Sequence, residues 1–544
     1  MLREALRQRT PRGHQIVNGR SLPAPIEGWD ASSPIAKMSE KRALVLDNWF
    51  PTPMDVRVRR GFQMHSADMG SGVVDTLMPY HGLTPAAGKL FAAANSKIYD
   101  VTTSQTSGSA SVSSLSSNRW QYVNFTTSGG KFLWACNGAD AARHFDGSSW
   151  ATPSLNITTY SASEIINVNA HKNRLWFVFK DTTVAGYLAT GAISGTVTNF
   201  ELGGLFTKGG YLVAMTTWTR DGGDGEDDLA VFISSKGQVA VYAGTDPDNA
   251  STWALVGTFD LAPPIGYRCF EKAGGDVAII TIDGVLPLSL ALQRDRAGTA
   301  DIALTARIRN AMNLSARSYK GNFGWEIKSY PTGGYVLLNV PLQEGVTQHQ
   351  YVMNTETGAW CRFTGQNANC WAVFNEELYF GSNSGIVYKA DQTALDASNP
   401  IVAIGQCAYN FYGNTGIWKE FKLLQAIITA DANVRPALGI STDFRDNAAL
   451  GTPVAAEEDA ALYDEAVWDA DVYPVEGRTV AEWASISGDG YAASIHFRAE
   501  TGKSGVSLWG SSEWGQDLWS APVSGEAVMR LNAFNMIYEK GLVL

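Results

Sequence analysis

The chain has 544 residues, of which 45% are hydrophobic and 17% charged, and its formal net charge is −11. That length exceeds one compact core and predicts about two to four domains. The acidic balance excludes a broad basic surface that wraps nucleic acid, but it is compatible with a conduit whose walls repel sliding DNA. No run approaches the roughly 18 apolar residues of a membrane span, and the N-terminal run has no apolar core of signal-peptide length, so neither a span nor Sec-dependent export is expected.

Residues 1–42 read as an extended arm. Pro11, Pro23, Pro25 and Pro34 break it, and Arg3, Arg7, Arg9, Arg12 and Arg20 make its first half basic. Such an arm is either solvated or docked on an acidic neighbour. From Ala43 the run ALVLDNWFPTPMDVRVRRGF changes to strand, turn and strand, and is the candidate for closing the last blade of a propeller.

Propeller blades are expected because one phrase recurs seven times between Lys89 and Asp391: an apolar run, a polar or glycine turn, and a second apolar run. The copies start at Lys89, Lys131, Asn173, Asp228, Gly275, Gly334 and Glu377. Their spacing of roughly 40 to 60 residues matches one four-stranded blade. The expected fold is therefore all-β: a β-propeller of about six to eight blades over 43–399, with a C-terminal β-sandwich-like domain and the N-terminal arm. Within the propeller, DIALTARIRNAMNLSARS switches to a 3-to-4 period and predicts an inserted helix near 301–318. The acidic loop at 221–228 departs from the calcium-loop spacing, which favours a solvated loop.

Residues 400–544 predict the separate sandwich-like platform, through longer alternating runs such as FKLLQAIITA, YAASIHFRAE and VMRLNAFNMIYEKG. Between them, Glu457 to Trp483 is dense in carboxylates interleaved with Trp468, Tyr473 and Trp483, and reads as a solvated loop or an acidic aromatic subunit contact.

No catalytic, cofactor or metal residue is predicted. Asn354 to Trp360 and Phe145 to Trp150 approach the S-x-D-x-G-x-x-W box of propeller sialidases, yet lack its serine and aspartate at the required offsets. The seven histidines are dispersed, without metal-ligand spacing, and no G-x-S-x-G elbow occurs. The five cysteines are scattered and read as buried free thiols. Trp150, Trp176, Trp253, Trp325 and Trp360 flank the blade phrases, where packing between sheets is the default role.

One segment is more specific. Pro23, Pro25, Gly28 and Trp29, followed by Asn48, Trp49, Phe50, Pro51, Arg59 or Arg60, and Gly61, resemble the opening of tail nozzle proteins of short-tailed bacteriophages, also called tail tubular protein B. The runs FYGNTGIWKEFKLLQAII and ISTDF are similar to the downstream part of that group. The resemblance implies a virion structural protein without an active site, assembled in the host cytoplasm as a ring, commonly a homohexamer. Such a ring lies below the adaptor and portal, conducts phage DNA without sequence-specific binding during ejection, and can carry tail fibres or spikes. On this reading Arg3, Arg7, Arg9, Arg12, Trp29, Trp49, Phe50 and Arg59 are candidate inter-subunit contacts. Two rival readings stand beside it: a glycan-binding propeller for receptor recognition, and a polysaccharide-cleaving propeller enzyme.

Overall fold

The computed structural model describes residues 17–67, 69–104, 110–219, 228–294, 296–299, 301–430, 436–445, 450, 478–501 and 529–540. The chain forms two compact units, Met1–Val58 with Val402–Leu544, and Arg59–Ile401.

The first unit is built from eleven described strands: β1 (Val17–Pro23), β2 (Gly28–Trp29), β3 (Arg42–Asp47), β4 (Trp49–Pro51), β5 (Val56–Val58), β6 (Val402–Cys407), β7 (Lys419–Ala430), β8 (Ala437–Thr442), β9 (Arg478–Gly490), β10 (Ala493–Glu500) and β11 (Arg530–Lys540). They form two sheets. One runs β4–β5–β11–β7–β9, with β1 also paired to β11, and the other runs β2–β3–β6–β10–β8. Alternating apolar residues put one face of each sheet into a shared core. There Phe497 of β10 lies 5.3 Å from the Phe534 ring of β11 and 5.3 Å from Trp49 of β4.

The second unit is a seven-bladed propeller. In chain order the blades open on inner strands Val74–Tyr80, Gln121–Thr127, Ile165–His171, Leu212–Thr219, Phe270–Ala273, Glu326–Tyr330 and Ala368–Phe374. Six are four-stranded; among the described residues the fifth has three strands. The outer strand of the seventh blade is Phe62–Ser66, which pairs with Val387–Ala390 and so fastens the start of the unit to its end. The ring is also closed inside, where Ala368–Phe374 packs beside Val74–Tyr80.

Each of the seven recurring phrases supplies the second and third strands of one blade. Three of the hairpins leading into them turn through two residues in the left-handed region: Asn95 and Ser96, Lys172 and Asn173, and Asn375 and Glu376. Such paired positive φ angles match the twist of tightly joined strands. Facing blades interlock through apolar side chains: Met78, Phe91 and Leu133 between the first and second, Trp176, Phe232 and Trp253 between the third and fourth. Each side chain fully buried in this way contributes about 1.5–3 kcal/mol.

Three expectations change. The described part of the arm, from Val17, forms strands: β1 pairs with β11 from Val17↔Glu539 to Pro23↔Ala533. The propeller begins at Arg59 rather than 43, because Ala43 to Asp47 pairs with β6 and Val56 with Leu531 of β11. Blade closure falls to the next strand, Phe62–Ser66. The helix spans Arg309–Tyr319, later than expected, since Asp301 pairs with Arg309 at 2.7 Å instead of capping a helix at 301.

Candidate functional site

The residues that carry the nozzle resemblance lie where the chain leaves one unit and enters the other. Asn48 adopts φ +59° and donates its Nδ2 hydrogen to the Val402 carbonyl at 2.8 Å, so the outgoing strand grips the returning one. Trp49 is fully buried against Phe497, and Arg57 lies 5.2 Å over the Phe50 ring. Thr52 and Asp55 close the turn between β4 and β5, with Thr52 Oγ1 donating to Asp55 Oδ1 at 2.7 Å.

Past Val58 the grip is repeated inside the propeller. The buried Arg59 guanidinium makes a two-pronged ion pair with Asp396, Nη1 to Oδ1 at 2.7 Å and Nη2 to Oδ2 at 2.5 Å. It also donates to the Thr364 carbonyl at 2.7 Å and lies 5.7 Å over Phe363. Planar, paired geometry of this kind suits arginine and not lysine. Gly61 passes so close to Leu395 that an added Cβ would sit 1.9 Å from its carbonyl oxygen.

The propeller axis is bridged by side chains. Arg268, just before the fifth blade, donates Nη2 to the Asp75 carbonyl (2.9 Å) and to Thr76 Oγ1 (2.7 Å) of the first blade. Its Nη1 stands 3.6 Å from Glu326 Oε2 of the sixth. Glu326 also accepts the Trp371 backbone hydrogen of the seventh blade at 3.1 Å. Arg119 pairs with Glu344 at 2.5 Å, and it and Arg268 lie over the Phe323 ring at 4.1 and 5.1 Å. Lys328 meets Glu271 at 3.4 Å.

Burial raises the Asp75 and Glu326 carboxyl pKa values, with the neighbouring arginines opposing it. For Lys328 burial works against the charge, but Glu271, Tyr122 and Glu326 together outweigh it and hold the pKa above the ordinary lysine value. The arrangement ties the first, fifth, sixth and seventh blades together through hydrogen bonds and paired charges. It acts as a brace between blades.

Of the predicted contact residues, Arg3, Arg7, Arg9 and Arg12 lie outside the described residues, as do 451–477 and all of the acidic loop except Asp228. Trp29, Trp49, Phe50 and Arg59 are all buried within one subunit. They hold the chain's own fold, because large aromatic and paired charged groups are stabilising when removed from water together. They are not available as surface contacts.

Trp176, Trp253, Trp325 and Trp360 are buried, and Trp150 is half-buried against Phe91. All five cysteines are free and buried, and burial pushes the Cys269 and Cys407 thiols up to about 12. No group of three potential metal ligands occurs among the described residues. An open cavity of about 460 Å³ on the sandwich is lined by both signs of charge, including Lys422, Asp489, Glu539 and Lys540.

Sequence reasoning missed the axial brace. The available signal was charge inside strands, as in the run EIKSY, where Glu326 and Lys328 share one face of an inner strand.

Neither protein-family models nor curated proteins match the chain. Solved structures do. Saccharomyces cerevisiae Sqt1 is 11% identical, with 60% of this chain and 98% of that one covered at a TM-score of 0.35. The β-propeller domain of Myceliophteria thermophila Cps50 (Swd1) is 11% identical, with 61% and 100% covered at 0.39. The extracellular domain of a putative one-component system from B. thetaiotaomicron is 7% identical, with 81% and 61% covered at 0.40.

Proposed function

We propose that this chain is a structural subunit of a short-tailed phage tail, a ring-forming nozzle whose lumen conducts DNA during ejection. The observation that carries the reading is the place of the nozzle-like segment. Asn48, Trp49, Arg59 and Gly61 each secure the point where a propeller is inserted into a β-sandwich. A scaffold that displays a peripheral domain from a platform needs those residues; an enzyme or lectin has no special use for them there.

The bridged axis supports the same division of labour. DNA threading the propeller would have to break the Arg268–Glu326 contact, so on this reading the lumen lies between subunits. The net charge of −11 suits a wall that does not trap phosphates. Its partners on this reading are further copies of itself, adaptor or portal-side proteins, and fibres or spikes.

Mass measurement with class averages of the purified chain tests the proposal. A closed ring, six-fold or otherwise, is the expected result. A monomer that binds glycans on an array, or cleaves host polysaccharide, would overturn it.

A further inference from the structure

Among the described strands of the sandwich, β1, β4, β8 and β9 are each paired on one side only. β1 pairs with β11 alone and β9 with β7 alone, so the path β1–β11–β7–β9 ends in an unpaired strand on each side; β5 follows β1 along the same side of β11, at Arg530 and Leu531, and the side chains of Ile440 and Thr442 from β8 lie beside Gly488 of β9. An open edge presents unmade backbone hydrogen bonds and is a template for another strand. Here β9 is 13 residues long, and Trp483 on it is 46% exposed.

The two edges fit each other. β1 is antiparallel to β11, β11 to β7, and β7 to β9, so β1 and β9 run in opposite directions. A copy of β1 placed beside β9 by rotation about a ring axis therefore continues the alternation. The levels also agree: Gly19 aligns through Ile537 and Leu423 with Ser485, and Ser21 through Asn535 and Gln425 with Trp483.

The outward groups of β1 follow from one bond. Ala24 donates its backbone hydrogen to Asn532 at 3.3 Å, so even-numbered residues face β11 and Val17, Gly19 and Ser21 present theirs to the open side. Charge agrees as well. β1 has one charged residue, Arg20, already beside Glu40 at 2.8 Å, whereas Ala481 to Asp489 contains only the carboxylates Glu482 and Asp489.

We propose that a second copy of this chain occupies each edge: β1 of one subunit pairs antiparallel with β9 of the next. The sheets then merge into one closed barrel with four strands from every copy. Head-to-tail contacts of this kind close rings, and closure of a sheet removes its edges. The inference rests on the nozzle reading and names the interface by which that ring forms.

Cysteine pairs on the full chain test it. Gly19→Cys is combined in turn with Ala481→Cys, Trp483→Cys, Ser485→Cys and Ser487→Cys, because barrel closure staggers the strands by an amount set by copy number. Mild oxidation is expected to give, for one or two pairs, a disulfide ladder that ends at the mass of the ring. Rings without crosslinks in any pair would overturn the interface and leave the nozzle reading standing. Crosslinks from a single β9 cysteine would overturn it in favour of two-fold pairing, and a wild-type monomer would overturn both.

Ser21→Pro supplies an independent arm, since it removes one outward hydrogen and spares the bonds to β11. It is expected to lower the ring fraction at least about tenfold while the melting temperature holds. Wild-type ring yield in that variant would sink the proposal.

Discussion

Arg59 and Asp396, 337 residues apart, form a two-pronged buried ion pair at the entrance and exit of the propeller. Removing one member leaves the other buried without its counter-charge, so Arg59→Met and Asp396→Asn are each expected to cost about 3–5 kcal/mol. Urea unfolding followed by fluorescence checks this. Arg59→Lys should rescue only part of the loss, because an ammonium cannot reproduce the paired geometry.

The axial brace predicts non-additivity. Arg268→Met strands Glu326 near the axis, and Glu326→Gln leaves Arg268 without its 3.6 Å partner. The double variant is expected to be more stable than the sum of the single losses by about 0.5–3 kcal/mol. A double-mutant cycle in urea measures the coupling, and strict additivity would refute the brace.

Two buried histidines set a pH dependence. Burial holds His171 down to about 4 and His349 to about 3. In the unfolded chain both titrate near about 6.5. Below that value the unfolded state takes up protons that the folded state refuses, so stability falls as pH drops from about 6.5 toward 4, by up to roughly 1.4 kcal/mol per pH unit for each histidine. Gln at both positions should flatten the slope of stability against pH between 6 and 4.5, measured by urea midpoints.

The thiols are expected to be silent in the native protein. All five cysteines are buried, and burial raises the pKa of Cys136, Cys269, Cys370 and Cys407. A thiol reagent at pH 8 should label none of them until denaturant is added, and then label five. Fast labelling of any one without denaturant would contradict its burial.

The sequence displayed the propeller through its middle strands because those are continuous apolar runs, such as Leu229 to Ile233 and Val277 to Ile280, buried on both faces. Inner strands were harder to see: Thr76, Asn169 and Glu326 interrupt their apolar pattern because each bonds a group outside its own blade, Thr76 the Arg268 guanidinium, Asn169 the Met215 carbonyl and Glu326 the Trp371 backbone hydrogen. Outer strands such as Trp150–Ala151 are too short to show a period. The segment Ala43 to Val58 was legible as strand, turn and strand, but its partners Cys407 and Leu531 are hundreds of residues away. Local alternation carries no information about that choice. The same distance hid the partner of Arg59, so a motif visible as a word was misread as a surface.

The position of β11 imposes an order of events during synthesis. This strand, Arg530–Lys540, lies between β1 and β7 and pairs with both. Every described propeller strand has left the ribosome once residue 401 has, whereas the sandwich still waits for β11. Until then β1 lacks the strand it pairs with. A product that stops before Arg530 would hold every described propeller strand, yet leave β1 and β7 each without the strand that lies between them.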